Sequence, residues 1–161
     1  MWGVGCGVWG VGCEGRGWCG EFCLTCGMSR RIVFLINPIA GTRKKTPLKG
    51  RIASYMKGQQ GVAFELLDTR ASGDYGWLRE KIINEKITDV VICGGDGSVN
   101  TIGAHLLGLD VNTGIIPMGS GNGLALCAGI PRNTRAALDL ILHGKASYID
   151  GFFINDRFSC M

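Results

Sequence analysis

The segment TDVVICGGDGSVNTIGAHLLGLDVNTGIIPMGSGNG, Thr88 to Gly123, decides the fold. It opens on Thr88 to Cys93, a short β-branched apolar run that reads as a buried strand. Gly94-Gly95-Asp96-Gly97 breaks that run. The period then changes: Val99, Ile102, Leu106 and Leu107 fall on one side of a helix. Thr113 to Pro117 returns to a strand and ends at Gly119-Ser120-Gly121-Asn122-Gly123. A strand, a glycine turn, a helix and a second strand with its own glycine turn imply a parallel sheet with helical crossovers.

The pattern extends in both directions. Upstream, Arg31 to Ile36 reads as a strand broken by Asn37-Pro38-Ile39-Ala40-Gly41. Thr46 before Pro47 is a capping residue followed by proline at the first helical position. A helix is expected from about Pro47 to Gln59, with Leu48, Ile52, Tyr55 and Met56 inward. Val62 to Leu67 is a further strand. Ser72 should start a helix with Trp77, Leu78, Ile82 and Ile83 inward. Downstream, a short helix is expected near Asn122 to Ala128. Another follows at Thr134 to Leu142, burying Leu138, Ile141 and Leu142. Ala146 to Ile154 reads as one strand, with Asn155-Asp156 a hairpin turn into Arg157 to Met161. That last strand is expected to lack a partner, as in a chain cut short. The fold class is α/β, a doubly wound, mostly parallel sheet.

The 161 residues fit one domain, but their composition is uneven. Residues 1 to 28 hold nine of the 27 glycines, five of the eight cysteines and three of the four tryptophans. Their only charges are Glu14, Arg16 and Glu21, so they read as a disordered or spurious extension. The remainder carries 16 basic and 11 acidic residues, which suits a protein that handles anions. No basic region precedes an apolar run, as a signal peptide would need. Nine glycines among these residues are poor material for a membrane span. Cys93, Cys127 and Cys160 are isolated in apolar sequence, where free cysteine is a common core residue. A reduced, cytoplasmic compartment is expected, with membrane contact peripheral at most.

Three turn-rich loops follow strands, and ligands of open parallel sheets bind at the carboxyl ends of strands. Glycines let the backbone approach phosphate oxygens, and the following helix presents an N-terminus that favours negative charge. Asp96 is out of place among phosphate-binding features unless it has a task. It can hold Mg²⁺, directly or through water, or accept a proton from an attacking hydroxyl. A plain Asp-Gly turn is the bland alternative. Gly119 to Gly123 lacks the dinucleotide spacing; Ser120 and Asn122 could donate to ribose or phosphate, or Asn122 could simply cap a helix. Asn37 sits at a strand end, and Arg43, Lys44 and Lys45 follow, either neutralising phosphates or forming a solvated basic loop.

In this order the loops resemble the catalytic domain of diacylglycerol kinases and related lipid kinases, including sphingosine kinases. The resemblance runs from about Arg31 to Met161. It rests on Asn37-Pro38 with Gly41, on Gly94-Gly95-Asp96-Gly97, and above all on GIIPMGSGNGLALCAGIP, Gly114 to Pro131. It implies a Rossmann-like domain of the NAD kinase and diacylglycerol kinase type at 29–150. Residues 151–161 would then begin a second, β-rich domain. It further implies ATP and Mg²⁺ as cofactors, with phosphoryl transfer to a lipid hydroxyl at a membrane surface and no nucleic acid as partner. Asp96 would be catalytic and near the metal. Asn37, Gly41, Thr69, Gly94, Gly95, Gly97, Ser98, Gly119, Ser120, Gly121 and Asn122 would line the nucleotide. Several positions depart from the family pattern: Thr101 stands for a usual glutamate, Ala40 for a serine, Tyr75 for a small residue and Gly123 for an aspartate.

Three rival readings remain at this level. An NAD kinase-like enzyme would share the Gly-Gly-Asp-Gly loop. A non-catalytic nucleotide-binding fragment needs only the loops. Cys19-x₃-Cys23-x₂-Cys26 has the spacing of an iron–sulfur site on radical enzymes, or could bind zinc, although five cysteines in 28 residues make chance spacing common.

Overall fold

The computed structural model describes residues 6–9, 30–38, 46–69, 73–155 and 157–160. Its elements are β1 (Cys6–Trp9), β2 (Arg30–Ile36), α1 (Thr46–Met56), β3 (Val62–Asp68), α2 (Gly76–Glu85), β4 (Asp89–Gly94) and α3 (Asp96–Leu106). They continue as β5 (Asn112–Pro117), α4 (Gly123–Cys127), α5 (Thr134–His143), β6 (Ala146–Ile149), β7 (Gly151–Ile154) and β8 (Arg157–Cys160).

β4 is buried at all six positions, and β2 is buried from Ile32 to Ile36. Helices cover both faces of this sheet, so its central strands have no solvent side, and their sequences are continuous apolar runs without alternation. The six-stranded sheet has the order β3-β2-β4-β5-β1-β6. The first five strands in that order pair in parallel, and β6 closes the edge antiparallel to β1. Side chains alternate between the faces. A β-carbon on Gly114 would lie 3.0 Å from Ile141 of α5. Thr113 and Ile115 instead share an apolar cavity with Val99 and Gly103 of α3. α1 packs on α5 and α2 packs on α3, so the sheet is doubly wound.

From β2 the chain crosses to β3 on one side, and from β3 it returns past β2 to β4 and then β5. The strand order therefore reverses between β2 and β4, and the carboxyl ends of these two strands flank the switch point of the fold. At the opposite end of the same strands, Arg30 clasps the sheet. It donates to both carboxylate oxygens of Asp89, at 2.8 and 2.7 Å, and to the carbonyls of Ile141 (2.7 Å) and Leu142 (3.0 Å). Asp89 is fully buried and also accepts from the Thr88 hydroxyl at 2.7 Å.

Several expectations are corrected. In α2 only Leu78 and Ile82 are buried, whereas Trp77 is 40% and Ile83 60% exposed. The helix begins at Gly76 and meets its neighbour α3 along a narrow i, i+4 stripe, so the residues flanking that stripe face outward. In α5 Ala137 joins Leu138 and Ile141 in the core, while Leu142 is only half-buried. Leu107 is the C-cap of α3 and likewise half-buried. Cys93 and Cys160 are buried, but Cys127 is exposed on α4. Burial pushes the Cys93 thiol pKa far up, so it stays protonated and inert.

The stretch read as one strand from Ala146 to Ile154 is two. β6 ends at Ile149 in the main sheet, and after Asp150 the chain turns away as β7, which pairs only with β8. The intervening turn has Asn155 at φ 47, the left-handed region favoured in two-residue hairpin loops. β8 does have a partner. It pairs with β7 and packs on α3, where Cys160 donates its backbone N–H to Asn100 Oδ1 at 3.2 Å. Within the N-terminal stretch Cys6–Trp9 forms β1, and the spaced cysteines Cys19, Cys23 and Cys26 lie outside the described residues.

Candidate functional site

Register brings the loops together. Ile36 pairs with Asp68 on one side and Cys93 on the other, and Gly94 pairs with Pro117. The ladders then run one residue past the strands: Thr69 N–H donates to Ile36 O (2.8 Å), Asn37 N–H to Cys93 O (3.1 Å) and Met118 N–H to Gly94 O (2.8 Å). Thr69, Asn37, Gly95 and Gly119 thus leave the sheet side by side at its carboxyl edge.

Asp96 is the first residue of α3. The first helical bond runs from Val99 N–H to Gly95 O at 3.1 Å, so the amides of Asp96, Gly97 and Ser98 precede the helix ladder. These amides and the helix dipole give the loop a positive potential. The Gly119–Gly123 loop passes directly over the carboxylate. A β-carbon on Gly121 would lie 3.0 Å from Asp96 Oδ2, and one on Gly123 3.8 Å from Oδ1. Among the described residues no hydrogen bond or ion pair engages that carboxylate. A half-buried acid with no partner among the described residues is available to a ligand, a cation or a proton.

The two glycine loops touch. A β-carbon on Gly119 would come within 2.8 Å of Gly95 Cα and 2.9 Å of Asn122 Oδ1, so only glycine permits this approach. Asn122 is buried in the left-handed conformation, with φ 58 and ψ 48. Its Oδ1 accepts from Gly119 N–H at 2.8 Å and its Nδ2 donates to Gly119 O at 2.7 Å. It makes no side-chain cap bond to α4, which corrects the capping alternative; its amide shapes the loop instead. Ser120 and Gly121 are exposed at the loop tip.

Asn37 Nδ2 donates to Ser98 Oγ at 2.9 Å, joining the loop after β2 to the first turn of α3. Thr69 is buried at the end of β3. Gly41 and the basic residues Arg43, Lys44 and Lys45 lie outside the described residues. The site therefore brings together Asn37, Gly94, Gly95, Asp96, Gly97, Ser98 and Gly119 to Asn122, with Thr69 one strand further out.

A model of the diacylglycerol kinase catalytic domain matches residues 31–154. The chain belongs to the diacylglycerol kinase catalytic domain family. A curated relative from Enterobacter sp. (strain 638), named "Probable lipid kinase YegS-like", is 34% identical over 101 residues, covering 60% of this chain and 34% of that protein. A relative of the same name from Cronobacter sakazakii is 30% identical over 102 residues, covering 61% of this chain and 34% of its own length. A solved diacylglycerol kinase structure from Bacillus anthracis str. Sterne superposes with a TM-score of 0.60 at 23% identity, covering 81% of this chain and 45% of that one. This likeness shows the fold. The chain spans about a third of the length of the curated relatives it matches.

Of the four departures from the expected diacylglycerol kinase pattern, Ala40 lies outside the described residues, Gly123 sits beside Asp96, and two more have a visible setting. Thr101 is exposed on α3, its methyl group 3.8 Å from where a β-carbon on Gly73 would sit. Tyr75 is buried edge-on against His105, with ring centroids 5.8 Å apart, so the bulk that replaces a small residue packs on α3. The two histidines both make contacts: His105 packs on Tyr75, and His143 Nδ1 lies 3.1 Å from Asp139 O. Sequence reasoning missed Asn100, one turn beyond Asp96, which ties β8 to the helix carrying the acid. No local motif marks it. Among the described residues no helix is long and apolar enough to cross a membrane.

Proposed function

We propose that this chain forms the nucleotide-binding half of an ATP-dependent lipid kinase, in which the γ-phosphoryl group passes to a lipid hydroxyl. The observation that carries this reading is the Asp96 carboxylate at the N-terminus of α3, unpartnered among the described residues and enclosed by two mutually touching glycine loops. The first-turn amides of α3 and the Gly119–Gly123 backbone suit the polyphosphate, which takes hydrogen bonds from N–H groups and is drawn to the helix dipole. Asn37 and Thr69 lie along the same edge, where the nucleoside would extend. Asp96 takes the proton from the attacking hydroxyl, which raises its nucleophilicity as transfer begins.

Among the described residues no group of three or more His, Cys, Asp or Glu side chains could hold a metal by itself. Mg²⁺ would be carried in by the nucleotide phosphates, with Asp96 the carboxylate of the described site that would hold it. When bound, the ion would neutralise charge on the transferring group. The lipid acceptor and activity are properties proposed for the whole protein, and the nucleotide site for this chain.

Calorimetric titration of the 161-residue chain with ATP and Mg²⁺ tests the first half. Saturable binding at one site per chain is expected, with little or no lipid phosphorylation by this chain alone. A radiolabelled ATP screen of the full-length protein against diacylglycerol, sphingoid bases and NAD tests the second. Phosphorylation of NAD and of no lipid would contradict the lipid-kinase reading.

A further inference from the structure

We infer that Ser98 is a positioning residue: its hydroxyl holds Asn37 across the switch point between β2 and β4 and does not itself touch the nucleotide. This rests on the nucleotide-site reading above. Asn37 and Ser98 are 61 residues apart in sequence, yet Asn37 Nδ2 and Ser98 Oγ are 2.9 Å apart. A hydroxyl both donates and accepts, so the pair stays bonded in either orientation of the asparagine amide.

The local chain leaves Asn37 little other freedom. Its N–H is tied to Cys93 O at 3.1 Å. Pro38 follows, which restricts the residue before it to extended backbone. The side-chain torsion is restrained by the bond to Ser98. The same contact explains Gly94. A β-carbon there would lie 2.6 Å from both Cβ and Oγ of Ser98, and 3.8 Å from Cβ of Asn37. Gly94 is buried under this pair. Its lack of a side chain admits Ser98 to Asn37, a demand that exists with no ligand present. Gly94, Ser98 and Asn37 therefore form one unit, a glycine seat, a hydroxyl and the amide it orients. Within this unit the contact to the nucleotide is assigned to Asn37.

The test has two arms. The first needs no nucleotide. In ¹⁵N-labelled protein the side-chain NH₂ resonances of Asn37 should be dispersed and slow to exchange, and should collapse toward random-coil values in Ser98→Ala. Unchanged resonances would overturn the clasp. The second arm is a double-mutant cycle in which ATP displaces a fluorescent ATP analogue, with each variant first checked for a cooperative thermal transition. Loss of one hydrogen bond should weaken ATP about three- to tenfold in Ser98→Ala. Asn37→Ala should weaken it at least as much, and the double variant no more than Asn37→Ala alone. Losses that add would place Ser98 in direct contact with the nucleotide and overturn the inference. If the wild-type chain binds no ATP, the nucleotide reading falls, and the first arm still decides whether Ser98 holds Asn37. Should Ser98→Ala fail to fold, Ser98→Cys, whose sulfur is only a weak acceptor, supplies the first-arm readout: the Asn37 NH₂ resonances should move toward random-coil values, and unchanged resonances would overturn the clasp.

Discussion

Asp96 was legible from the sequence because it is an anomaly: a carboxylate among groups that otherwise favour phosphate. The structure keeps that anomaly, at the start of a helix and without a protein partner among the described residues. Its charge should show in binding. In EDTA, Asp96→Asn should bind ATP about two- to fivefold more tightly than wild type, because a screened like-charge repulsion is removed. With excess Mg²⁺ that advantage should vanish or reverse, since a carboxylate anchor of the metal is gone. Calorimetry under both conditions reads the change of sign, and equal effects with and without Mg²⁺ would take Asp96 away from the metal. In the full-length protein the same substitution should slow phosphoryl transfer at least about a hundredfold, which a radiolabelled ATP assay would measure. Asn122 was less legible. A polar residue before a short helix can cap, donate to a ligand or fold back, and only the left-handed backbone turns its amide onto Gly119. Gly94 was attributed to phosphate approach, whereas the atom nearest its missing side chain belongs to Ser98.

At the scale of elements, hydrophobic periodicity located β2 to β5 and the helices between them because their cores are wide. It failed where packing is narrow, as in α2 with its two buried residues, and where a strand divides, as at Asp150. Two side-chain links between elements were invisible to periodicity and should dominate stability. The Arg30–Asp89 pair joins β2, β4 and the end of α5. Asp89→Ala would leave a largely buried guanidinium without its carboxylate and should cost about 3–5 kcal/mol, read from urea or thermal unfolding. Replacing both residues with apolar ones of similar size should restore part of that loss. The second link is the Tyr55 hydroxyl, which donates to Asp139 and ties α1 to α5. Burial, and then the hydrogen bond to Asp139, push the Tyr55 pKa up from 10.0 to about 12. The folded state therefore keeps a proton that the unfolded chain loses near pH 10. This contribution is complete below pH 10 and is lost as pH rises toward 12. A spectrophotometric titration should show one tyrosine ionising near pH 12, and Tyr55→Phe should remove that step. A normal titration of all tyrosines would argue against the α1–α5 link.

For the whole molecule, alternation of strands and helices was enough to give a doubly wound parallel sheet, because each crossover must be right-handed and each helix must cover a face. That logic reaches the switch point between β2 and β4 and so the site. It does not reach the far edge, where Cys6–Trp9 enters the sheet between β5 and β6. Glycine- and cysteine-rich sequence carries no strand periodicity, and its pairing depends on a vacant edge elsewhere in the chain. Nor does it foresee that β8 packs on α3, the helix carrying Asp96, through Asn100. The central claim is that three loops at one sheet edge form a single nucleotide site. Amide chemical shifts of ¹⁵N-labelled protein titrated with ATP and Mg²⁺ test it most directly. The account predicts saturable perturbations gathered at Asn37, Thr69, Gly94 to Ser98 and Gly119 to Gly123, with the groove lined by Glu65 and Trp77 unaffected. Perturbations centred on that groove, or none at saturating ATP, would contradict it.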